Sequence, residues 1–226
     1  MTVILRPRSL PVLGLACLAA LAPAAPRLDG AWPDTPRARL GALALLQTLN
    51  AELLGHDSAT LTLDSWCARR HLAPPGSHVV ADRVTGADKP APPEVRAALQ
   101  PGAGDAIRYR RVRLRCGTRI LSEADNWYLP ARLTPEMNAL LDGSDTPFGR
   151  AVQALHFRRQ TVSAKLLWSP LPDDWPDRHD RAGTGRRLAI PDRVIEHRAI
   201  LRLPDGTPFS QVIETYQGAV LGAAPR

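Results

Sequence analysis

The sequence predicts an α+β domain, a single antiparallel sheet of about six strands packed by helices. Three observations predict it. Near the start, Leu40, Leu43, Leu46, Leu49 and Leu53 recur at three- and four-residue steps, the stripe of an amphipathic helix. Later, alternating segments 107–115 and 120–129 flank the turn Cys116-Gly117-Thr118, and segments 193–203 and 209–216 flank Pro204-Asp205-Gly206-Thr207. Between and before these hairpins the helix signals fall in separate blocks, as they do when helices pack on an antiparallel sheet.

At 226 residues, with 44% hydrophobic, the chain can bury one substantial core. It shows no internal repeat and no second domain. Arg6 and Arg8 precede an apolar run, Leu10 to Ala22, that ends in Ala22-Pro23-Ala24. This order of charge, apolar run and small residues is that of a secretory signal, and the run is too short for a membrane span. The alternative is a hydrophobic N-terminal helix of the fold. The expected organisation is therefore a signal peptide over 1–25, a linker over 26–35, the domain over 36–221 and a tail over 222–226. A periplasmic or secreted monomer follows, without stable membrane insertion after cleavage. Lipid attachment at Cys17 is disfavoured because Gly14 stands where a large aliphatic residue is wanted.

The net charge of +7 comes almost wholly from arginine, with lysine only at Lys89 and Lys165. The arginines alternate with apolar residues and never form a run of five, so no nucleic-acid partner is expected. Cys67 and Cys116 are either a disulfide suited to an oxidising compartment or two small buried hydrophobes.

Thr35-Pro36 is an N-cap followed by proline at the first helical position, and Gly55 sits where a left-handed C-cap belongs. Thr60–Trp66 and His78–Val84 alternate and read as strands. Segment 87–104 reads as a loop with one helical turn around Glu94–Leu99. In the long strand that follows, Ile107, Tyr109, Arg111, Arg113 and Arg115 share one face and Arg108, Arg110, Val112, Leu114 and Cys116 the other. Thr134-Pro135 and Thr146-Pro147 open short helices, Pro135–Leu141 and Pro147–Leu155. Phe157–Trp168 is a further strand. Leu171–Gly185 is a loop that could form a lid; its Asp173, Asp174, Asp177 and Asp180 read as solvated rather than as metal ligands.

Three pieces bear on function. The helix start Thr146–Arg150 offers the Phe148 and Gly149 amides to an anion, although alone it is a good structural cap. Arg111 lies mid-strand, where a guanidinium can pair bidentately with a carboxylate if its face is buried. Glu214 sits in the apolar strand Val212–Tyr216 and either makes a cross-sheet ion pair or lines a cavity. Glu123, Asp125 and Asn126 read either as a separate polar feature or as a bulged edge strand. The histidines lack paired metal spacing, and there is no nucleophile elbow or phosphate loop.

Taken in order, Leu53-Leu54-x-x-Asp57-Ser58, Arg111-x-x-Leu114, Thr146-Pro147-Phe148-Gly149-Arg150 and Glu214-Thr215-Tyr216 resemble the chorismate lyase family, over roughly Leu40 to Tyr216. The resemblance implies a closed pocket for a small aromatic or cyclic carboxylate and a cofactor-independent carbon–oxygen lyase that releases pyruvate and 4-hydroxybenzoate. It also implies roles: Arg111 on a carboxylate, the Phe148 and Gly149 amides beside it, Ser58 and Ala59 at the pocket wall, and Glu214 facing the ring hydroxyl. Ala59 stands where the family has a pocket methionine, and the 122–127 stretch is longer and more acidic than the enzyme's. The alternatives are an exported, non-catalytic binder of aromatic acids and an envelope interaction protein.

Overall fold

A computed structural model of the chain describes residues 32–86, 88–173, 175 and 186–224. The expected signal segment with Cys17, and most of the 171–185 loop with Asp174, Asp177 and Asp180, lie outside the described residues.

The first helix, α1 (Pro36–Gly55), begins as its sequence dictates: the Thr35 side chain accepts from the Ala38 amide and proline follows at once. It buries Ala42, Leu46, Leu49 and Leu53. Its end differs from expectation, because Gly55 stays helical and His56 forms an extended cap. Next comes α2 (Ala59–Arg69), where a strand was expected over Thr60–Trp66. Ser58 caps it by accepting from the Leu61 amide, and Ala59, Leu63, Trp66 and Cys67 then fall on one buried stripe.

The strands are β1 (Val79–Arg83), β2 (Arg108–Cys116), β3 (Arg119–Tyr128), β4 (Arg158–Leu166), β5 (Arg193–Arg202) and β6 (Pro208–Gln217). They form one sheet in the order β1-β2-β3-β6-β5-β4, every pairing antiparallel. The two hairpins expected from their turns are β2–β3 and β5–β6, and Gly117 and Gly206 supply the positive φ those turns require. Three short helices fill the connections: α3 (Pro93–Leu99), α4 (Pro135–Gly143) and α5 (Phe148–Ala151). At the start of α5 the cap is Pro147 rather than Thr146, whose hydroxyl instead accepts from Ser144.

One face of the sheet carries most of the core. Val112, Leu114, Cys116, Ala124, Val212 and Tyr216 meet α1 and α2 at one end. At the other end Tyr128, Leu201 and Phe209 meet α4 and α5. On the opposite face α3 covers only a patch around Trp127. Beyond it that face carries arginine–carboxylate pairs, Arg111 and Arg113 with Glu123, Arg115 with Asp82 and Arg198 with Glu196.

Cys67 and Cys116 are disulfide-bonded, their Cα atoms 6.6 Å apart. The bond ties the C-terminal end of α2 to the end of β2. Tryptophan N–H groups make similar long-range ties, Trp32 to the Gly222 carbonyl and Trp66 to the Val220 carbonyl. Among the described residues, no helix is long and apolar enough to cross a membrane.

Candidate ligand pocket

Where α2 and α5 both begin over the middle of the sheet, they enclose a cavity of about 40 Å³. Its floor comes from Arg110, Val112, Asn126, Val212 and Glu214, and its roof from Ser58, Ala59, Thr60, Phe148 and Gly149. Gly149 allows the two helix starts to meet. A Cβ there would lie 2.7 Å from Ser58 Oγ and 3.1 Å from Thr60 Oγ1. Arg150 then locks α5 to α2 by an ion pair with Asp64, which also accepts from the Val79 amide at 2.6 Å.

Two buried arginines face this cavity, and they differ in one decisive respect. Arg159 of β4 donates to Glu214 of β6 at 2.6 Å, their side chains 3% and 8% exposed. Glu214 also accepts from the Tyr216 hydroxyl at 2.9 Å, so its carboxylate is charge-matched and doubly hydrogen-bonded. Burial works against the Arg159 cation, and the adjacent Glu214 carboxylate outweighs it, raising its pKa. Burial, with Glu214 adding to it, raises Tyr216 well above its ordinary value.

Arg110 of β2 has no such partner. It is 4% exposed and gives one hydrogen bond, from Nη2 to the Thr146 carbonyl at 3.2 Å. Its Nε and Nη1 are buried with no acceptor at all. Burial, aided by repulsion from Arg83, lowers its pKa to about 10, which still leaves it protonated at neutral pH. A buried, under-coordinated guanidinium is a costly arrangement unless something anionic reaches it.

Arg111 is placed otherwise than expected. It projects from the opposite face of β2, its side chain 42% exposed, and pairs with Glu123 at 3.1 Å. It therefore cannot join Glu214 in one pocket, because successive strand residues point to opposite faces. The parity of the strand held the signal: Arg110, not Arg111, shares its face with Val112, Leu114 and Cys116. Asn126 is likewise inward and buried, whereas Glu123 and Asp125 are outward. β3 is a central strand whose pairing with both neighbours is unbroken over Ser122–Tyr128, not a bulged edge. Ser58, Ala59, Phe148, Gly149 and Glu214 all line the cavity. Sequence reading assigned no site role to Arg110 or Arg159, and it grouped Asn126 with Glu123 and Asp125 in a separate polar feature rather than with Glu214.

Beside the cavity lies an open groove of about 540 Å³, lined by residues that include His56, Leu61 and His156, and sharing Asp57, Ser58 and Phe157 with it. Asp57 pins this boundary by accepting from the Arg159 amide at 2.8 Å. Among the described residues, no group of three or more His, Cys, Asp or Glu side chains could hold a metal ion.

No family model matches the sequence. The uncharacterized protein y4mC of Sinorhizobium fredii (strain NBRC 101917 / NGR234) is 55% identical over 191 residues, which is 84% of this chain and 81% of that one. The chain belongs to the y4mC family. Among solved structures, the effector domain of PhnF from Mycobacterium smegmatis is similar at 12% identity and a TM-score of 0.44, over 72% of this chain and 89% of that one. A GntR-family transcriptional regulator from Bacillus cereus is similar at 12% identity and a TM-score of 0.37, over 61% and 90%.

Proposed function

We propose that the protein binds a small monocarboxylate with an aromatic or cyclic body in the cavity beneath α2 and α5. The observation that carries this reading is Arg110, a buried cation with two guanidinium nitrogens lacking an acceptor at a cavity wall. A carboxylate is an acceptor-only anion that the free N–H groups of a guanidinium can hold, and the neighbouring Val112, Phe148, Phe157, Leu201 and Val212 side chains suit an apolar body. Charge count supports one carboxylate rather than two. Arg159 is neutralised by Glu214, so Arg110 alone is left to match an anion.

At about 40 Å³ the cavity has room for a few water molecules, far less than a ring needs. A ring would enter from the groove by displacing Phe157 and the Ser58 end of α2, the boundary the two spaces share. Export belongs to the same proposal. The Cys67–Cys116 bond supports it, since such bonds persist in oxidising compartments.

A lyase of the chorismate type is the second reading, and the presence of Glu214 in the cavity wall favours it. Against it, that carboxylate is already engaged by Arg159 and by the Tyr216 hydroxyl. The test is thermal stabilisation by benzoate, 4-hydroxybenzoate and cyclohexanecarboxylate, set against the dianions isophthalate and chorismate, with pyruvate release followed in parallel. Monocarboxylates should stabilise the wild type and not Arg110→Met. Preference for a dianion, or Arg110-dependent pyruvate release, would overturn the binder in favour of the lyase.

A further inference from the structure

Resting on that carboxylate reading, we infer that Asn126 is the second donor to the bound carboxylate, so that Arg110 and Asn126 form one cradle, each taking one oxygen. The two residues are direct partners across β2 and β3. Both point to the cavity side, and both are nearly fully buried, at 4% and 3% exposure. Directly opposed side chains on one face of an antiparallel pair have Cβ atoms about 4.5–5.5 Å apart. The two side chains therefore stand side by side on the cavity floor, where one anion can meet both.

The orientation of the Asn126 carboxamide is held from behind. Ser210 Oγ donates to Asn126 Oδ1 at 2.6 Å in a fully buried contact. With its oxygen committed to Ser210, the carboxamide leaves its nitrogen, a donor only, for the cavity that Asn126 lines. A carboxylate is acceptor-only, so an amide presented nitrogen-first selects for it and against a donor group at the same place. Ser210 is thus a positioning residue. The carboxylate head would lie on the floor between β2 and β3, and the ring would extend over Val212 and Leu201 toward Phe157.

The experiment measures benzoate and 4-hydroxybenzoate binding by calorimetry, together with melting temperature in carboxylate-free buffer, for the wild type, Asn126→Leu, Asn126→Asp, Ser210→Ala and Arg110→Met. Asn126→Leu should weaken binding about tenfold or more, the loss of one hydrogen bond to a charged group. Asn126→Asp keeps the size and the Ser210 contact but sets an anion beside Arg110. It should abolish benzoate binding while raising the melting temperature, which separates a lost ligand from a lost fold. Ser210→Ala should weaken binding less than Asn126→Leu.

If the wild type binds, Arg110→Met does not, and every folded Asn126 variant binds as the wild type does, the cradle is wrong and the carboxylate pocket stands. If the wild type binds neither acid, both ideas fall together. Tighter binding by Asn126→Leu would also overturn the cradle.

Discussion

The guanidinium of Arg159 and the carboxylate of Glu214 meet at 2.6 Å in the centre of the sheet's packed face, both nearly sealed from water. Breaking such a pair strands a charge in a poorly polarisable interior. Glu214→Gln and Arg159→Met are each expected to cost about 3–5 kcal/mol in denaturant unfolding. The double variant should recover most of that loss. If it is no more stable than the worse single variant, the pair is not what each mutation disrupts.

Neighbouring arginines on β2 should behave in opposite ways. Arg110→Met should stabilise the ligand-free protein by about 1–3 kcal/mol, because it removes buried donors that lack acceptors. It should abolish monocarboxylate binding at the same time. Arg111→Ala should leave binding unchanged and alter stability by no more than about 1 kcal/mol, as for an exposed ion pair. Equilibrium unfolding with and without benzoate reads both effects.

Gly149→Ala tests how closely the roof is packed. Its new methyl would fall 2.7 Å from Ser58 Oγ, so α5 or α2 must shift. Overpacking of this kind costs about 1–3 kcal/mol, visible as a lowered denaturation midpoint. A midpoint equal to the wild type's would show that the two helix starts are not in contact.

Acid should weaken the fold through His197. Its Nε2 pairs with Asn50 Oδ1 at 2.8 Å, and burial lowers its pKa, with Arg159 lowering it further and Glu214 opposing. A depressed folded-state value means the unfolded chain binds the proton more readily. This contribution is therefore complete above the ordinary value of 6.5 and is lost as the pH falls below it. Stability measured from pH 8 to pH 5 should decline more steeply for the wild type than for His197→Gln.

Reduction of the Cys67–Cys116 bond, or Cys67→Ala with Cys116→Ala, opens a link across a sequence separation of 49 residues. Loop-closure entropy puts the loss at about 4 kcal/mol. Comparison of melting temperatures with and without reductant checks it.

Much of this was legible in the sequence, and the reasons are local. Thr35-Pro36 and Thr134-Pro135 cap helices by chemistry confined to a few residues, and Asp205-Gly206 fixes its hairpin in the same way. Segment 60–66 was not legible as a helix because its residues fit a period of two as well as one of 3.6. Ser58 decides between them. The pocket was legible only in part, for a similar reason. Alternation along β2 offers arginines to both faces, and the choice between Arg110 and Arg111 rests on which face the helices cover. Arg159 gave no sign of itself, since its partner Glu214 lies 55 positions away and two strands over.

The disulfide also makes α2 a lever with one fixed end. Cys67 is fastened near its last turn, while Ser58, at the other tip, stands over the cavity. The sulfur bridge, the Trp66 bond to the Val220 carbonyl and the Asp64–Arg150 ion pair all hold positions 64–67, and none of them reaches the Ser58 tip over the cavity.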